Sequence, residues 1–171
     1  MDVRYAAVFV LPDPLAGTSP EVLAPRVGVT LEGRQLMWAG APVEVDSVQY
    51  PHVPNLRVSL SFAAFLSLVE QSPEQRPAEA LARAFAAACV ELGSDFAFIH
   101  HGSPVQLVED CKDAASWFLG LDVERLVQHR MSLLFLSRNL APDLAVPTGR
   151  EAWTTPEGSF LYSSSGAKRW W

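Results

Sequence analysis

The chain has 171 residues, 49% of them apolar and 19% charged, a balance that builds one globular domain and is too short for two comfortable ones. Acids outnumber bases by 19 to 13, for a formal charge of −6. Phosphate repulsion therefore argues against nucleic acid as a partner and favours a basic protein surface.

The first strand is expected at Tyr5–Leu11, rich in Val, Phe and Ala and stopped by Pro12-Asp-Pro14. Its apolar run is too short for a leader, follows an acid at position 2 and lacks a small-residue cleavage site. No stretch is apolar and long enough to span a membrane. The expectation is a cytoplasmic protein with no membrane partner.

Leu15–Pro25 reads as loop or as one short helix starting at Pro20, with Ser19 placed to cap it. Val27–Gly40 has the pattern of a hairpin turning at Glu32-Gly-Arg, with Trp38 on the return strand. Val43, Val45 and Val48 alternate with Glu44, Asp46 and Ser47, and a loop bracketed by Pro51 and Pro54 holds His52. Arg57–Phe62 has a clear period of two, Val58, Leu60 and Phe62 against Arg57, Ser59 and Ser61. Ala63–Gln71 suits a short helix better than a strand, and Gln71–Arg76 is the expected flexible joint.

The most informative stretch is Pro77–Gly102. Leu81, Phe85, Ala88 and Leu92 recur along one helical stripe, Glu79 and Arg83 form an acid-before-base pair, and Gly93 supplies a left-handed stop. Four of the five residues Ala84–Ala88 are alanine, so the helix can approach a sheet closely. Phe96–Ile99 then forms an unbroken apolar run, the pattern of a strand covered on both faces, and ends in His100-His101-Gly102.

A second helix is expected over Val105–Leu121, its stripe made of Val108, Cys111, Ala115 and Phe118/Leu119. One or two turns follow over Val123–Arg130 with Asp122 as cap. Met131–Leu136 has the length and composition of a buried strand, and Ser137–Leu144 of a short helix or capped turn. Glu151–Thr154 and Ser159–Tyr162, either side of Thr155-Pro-Glu-Gly158, read as a closing hairpin. Strands, then helix, strand, helices and a final hairpin make an α+β order. The expected architecture is one domain over 1–162, an antiparallel-rich sheet with helices packed on one face, and a tail over 163–171.

The chemistry that these residues could carry is limited. Adjacent residues of a strand face opposite ways, so His100 and His101 cannot readily chelate one metal. A site would need His129 or His52 with Glu109, Asp110 or Asp113, and none of these has a ligand spacing such as HExxH. Cys89 and Cys111 form no CxxC, and both fall on helical apolar stripes as small buried hydrophobes. No phosphate loop, dinucleotide fingerprint or nucleophile elbow is present. The pattern thus implies no enzyme activity and no cofactor. His100 and His101 could alternatively form one wall of a small-molecule pocket.

The five tryptophans say more. Trp117 is expected in the core and Trp153 in cross-strand packing, while Trp170 and Trp171 are either docked or available to a partner. Glu109, Asp110 and Asp113 cluster where an acidic face would meet a basic protein.

The segment Met131-Ser-Leu-Leu-Phe-Leu-Ser-Arg-Asn-Leu-Ala-Pro-Asp-Leu144, followed by Val146-Pro147 and a late hairpin on Pro156-Glu-Gly158, resembles the C-terminal half of bacterial immunity proteins. Those proteins neutralise the toxins of polymorphic and type VI secretion systems. The chain departs from them where Phe135-Leu-Ser-Arg stands in place of a Tyr-Leu-Ser-Pro-like turn, and its first half carries no such likeness. The resemblance implies an α+β fold, no catalysis and a toxin as partner. A structural or regulatory subunit of a bacterial assembly is the other class the same surface could serve.

Overall fold

The computed structural model describes residues 4–49, 53–71, 79–128 and 133–163. Its centre is a seven-stranded sheet of order β5-β6-β1-β7-β8-β10-β9, in which every described pairing is antiparallel. The strands are β1 (Arg4–Val10), β5 (Glu44–Gln49), β6 (Pro54–Ser61), β7 (Phe96–Gly102), β8 (Leu133–Ser137), β9 (Arg150–Thr154) and β10 (Gly158–Ser163). A small second sheet joins β2 (Thr30–Glu32), β3 (Gln35–Trp38) and β4 (Ala41–Pro42). The hairpins expected at Val27–Gly40 and at the chain's end both form, as does the α+β order.

Burial of β1 and β7 explains the architecture. Tyr5–Val10 and Phe96–His100 are buried without a break, as an apolar run with no period of two requires. One face packs on α1 (Pro20–Arg26), α2 (Phe62–Gln71) and α3 (Glu79–Leu92), through Tyr5, Phe9, Leu56, Leu60, Phe85 and Phe160. The other packs on α4 (Pro104–Leu119) and α5 (Val123–Gln128), through Val8, Phe96, Phe98, Leu134, Leu136 and Leu161. Helices therefore cover both faces: α3 sits where the one-face arrangement placed it, and α4 and α5 add a second layer.

Local signals hold in detail. Leu81, Phe85, Ala88 and Leu92 are all buried, Arg83 donates to Glu79 at 2.7 Å, and Gly93 has φ +65. Ser19 precedes α1 but makes no side-chain cap bond. Asp122 does cap, its Oδ1 accepting from the Arg125 amide at 3.2 Å. Ser137 begins a capped turn, accepting from the Leu140 amide at 3.2 Å. The buried stripe of α4 is rotated from expectation: Leu107, Cys111, Ala114 and Ala115 are inside, Val108 is half-buried and Leu119 is 54% exposed. Ser103 starts the helix through a capping box, and the contact of Asp110 with His100 fixes this face against β7. His52, His129, most of the joint at Gln71–Arg76, and Trp170 and Trp171 lie outside the described residues.

Phe85 is fully buried between Phe9, at 5.4 Å between ring centroids, and Phe160, at 6.1 Å. Truncation to alanine is expected to cost about 3–5 kcal/mol in chemical denaturation. A loss below about 0.5 kcal/mol, the range of surface positions, would remove α3 from the core.

Candidate functional site

His100 and His101 do face opposite ways. His101 is exposed and stacks on Tyr5 at 4.3 Å, beside Phe62 at 6.3 Å. His100 is 5% exposed on the α4 side, and its Nδ1 lies 2.6 Å from Oδ2 of Asp110. The helix fastens to the strand at this bond.

Beside the pair lies a cavity of about 400 Å³ lined by Arg4, Glu44, Asp46, Arg57, Ser59, His100, Gly102, Ser103 and Leu107, among others. Register explains how residues so far apart in sequence meet. Glu44 pairs with Ser59, Ser59 with Ala6 and Ala6 with His100, making one row across four strands. The next row runs from Asp46 through Arg57 to Val8. Ser59 and Ala6 are small, so the floor between the larger side chains is hollow.

The charges are arranged in pairs. Arg4 donates to Glu44 at 2.7 Å. Arg57 grips Asp46 with two nitrogens, Nε donating to Oδ1 at 2.8 Å and Nη2 to Oδ2. The arginines lie deeper, 34% and 22% exposed, than their acids at 76% and 51%. Ser59 is only 8% exposed, and its hydroxyl makes no hydrogen bond to a described residue. It stands two strands from His100, about 10 Å at the usual strand spacing.

The mouth of the cavity adjoins the start of α4. The Ser103 amide donates to Gln106 Oε1 at 3.0 Å, and the Gln106 amide to Ser103 Oγ at 3.3 Å. Gly102 makes this closure possible. A β-carbon there would lie 2.6 Å from Gln106 Oε1 and 2.8 Å from His100 Nε2.

The sequence cluster of acids thus divides. Asp110 turns inward to His100, whereas Glu109 and Asp113 are exposed and enter no ion pair among the described residues. Arg4, Glu44, Asp46, Arg57 and Ser59 were not among the sequence candidates. Their alternation with valines was visible, but alternation reports only a polar face. Cys111 is buried, and its thiol is pushed up to about 12, mainly by burial. Burial raises Cys89 well above its usual value too. Among the described residues no group of three or more His, Cys, Asp or Glu converges to hold a metal ion, and no helix is long and apolar enough to cross a membrane. Trp153 stacks on Phe160 at 5.1 Å across the closing hairpin, and Trp117 is half-buried against the α4-side core.

No protein-family model, curated protein or solved structure matches the chain.

Two outcomes test this geometry. Gly102→Ala is expected to lose about 1 kcal/mol in denaturant unfolding, the worth of a helix cap. A neutral result would mean that His100 and Gln106 relax at no cost. Both cysteines are expected to resist a thiol reagent at pH 8 until the protein is unfolded, because neither forms thiolate there. Rapid labelling of the folded protein would contradict their burial.

Proposed function

We propose that this chain is a non-catalytic inhibitor that binds a basic protein, of the kind represented by the immunity proteins that its C-terminal half resembles. The observation that carries this reading is the division of the acids on α4. Asp110 is committed to the fold, and the arginines of the neighbouring cavity are matched by Glu44 and Asp46. Glu109 and Asp113 are left as outward negative charge on a rigid helix of a chain with net charge −6. Such charges steer a basic partner at long range and raise its association rate, while apolar contacts such as the 69% exposed Val105 on the same helix lengthen the complex's life.

The test is to produce the chain together with the protein encoded by its neighbouring gene. Rescue of cells from that protein, with a complex that survives purification, is the expected result. Reversing charge at Glu109→Lys and Asp113→Lys together is expected to slow association about tenfold or more at low salt, with the loss shrinking as salt rises. No rescue and no complex would overturn the inhibitor reading. A complex indifferent to both reversals would move the binding surface away from α4.

A further inference from the structure

Beyond that reading, and independent of it, we propose that the cavity between β5, β6, β1 and the start of α4 binds a small organic anion, a carboxylate or phosphate of metabolite size. Three features converge on it. Two guanidinium groups, Arg4 and Arg57, line the same hollow from neighbouring strands. The Ser59 hydroxyl, nine-tenths buried on that floor, is placed to donate to an oxyanion. The start of the 16-residue helix α4 adds its positive dipole end. The helix supplies field rather than donors, since Pro104 lacks an N–H and the capping box uses those of Ser103 and Gln106.

Glu44 and Asp46 hold the places that the anion would take. Both stand on an edge strand, and both are more exposed than the arginines that they engage. The Arg4–Glu44 pair is largely exposed and contributes little, so Glu44 gives up little by swinging outward, whereas the two-point Arg57–Asp46 grip is stronger and yields only to an anion that matches it. An arriving anion then exchanges one anionic partner for another on each guanidinium. The cavity, at about 400 Å³, has room for a molecule of nucleotide or dicarboxylate size. His100 forms its far wall, and the contact of His100 with Asp110 holds α4 in place.

This arrangement makes an unusual demand on variants. Removing a rim acid should strengthen binding, because the acid competes with the ligand, whereas removing an arginine should abolish it. The experiment is calorimetric titration of the full chain with inorganic phosphate, succinate and adenosine monophosphate. At least one of the three is expected to bind saturably, more weakly as salt is raised. Glu44→Gln and Asp46→Asn are each expected to tighten that binding severalfold, and Arg57→Gln to weaken it about tenfold or more. Circular dichroism confirms that each variant is folded, and Arg4→Gln serves as the second arginine variant should Arg57→Gln unfold. Saturable binding of none of the three probes by the wild type or the Glu44→Gln and Asp46→Asn variants overturns the proposal. So does binding that the acid variants leave unchanged or weaken. Either result leaves the toxin-binding reading to its own test.

Discussion

The structure depends on keeping two adjacent strands, β1 and β7, dry on both faces. Six consecutive side chains of β1 and five of β7 are buried. A strand with no polar face cannot lie at the surface of a sheet, so a layer must cover each side. The long helix α3 covers one side through its leucine and phenylalanine stripe, with alanines letting its backbone approach. The helices α4 and α5 cover the other. Remaining elements are placed by what these two layers leave open.

The two layers are unequal. The α3-side core reaches across the sheet from Leu56, Val58 and Leu60 on β6 to Phe160 and Tyr162 on β10. The α4-side core draws on β1, β7, β8 and β10 and takes no side chain from β5 or β6. On that face β6 presents Arg57 and Ser59, and β5 presents Glu44 and Asp46, to a space that no helix among the described residues fills. A seven-stranded sheet is wider than one helix pair can cover, and the part that the described helices leave uncovered is polar. The cavity is a consequence of that mismatch, and its chemistry follows from which residues face the uncovered side.

The ion pairs differ in what they do. The Arg4–Glu44 pair is well exposed and shielded by solvent, so it contributes little to stability and can be exchanged. The His100–Asp110 bond is mostly enclosed, joining a helix to a strand where water competes poorly. One set of pairs therefore belongs to a surface open to ligands or partners. The other belongs to the scaffold that fixes the position of α4, and with it the outward direction of Glu109 and Asp113.

Local physics made much of the fold legible in the sequence. Gly93 after a leucine stripe ends a helix wherever that stripe packs, and Phe96–Ile99 must be buried whichever layers do it. Val27–Trp38 turns at Gly33 because the chain there can take a positive φ. The candidate site was legible only in part. His100 and Asp110 stood out as residue types, yet the bond between them needs α4 to start at Ser103 in a definite phase. Arg4, Glu44, Arg57 and His100 come from four strands, with β1 and β7 far in sequence from the neighbouring β5 and β6, and only the register of a folded sheet puts them in one place. Register is set by long-range burial, since a slip of one residue turns every side chain to the other face. The sequence by itself determined most of the helices and strands, leaving Leu15–Pro25 open between loop and helix, and which strands must be buried. Tertiary packing decided which polar faces stayed uncovered, and so where the charged cavity lies.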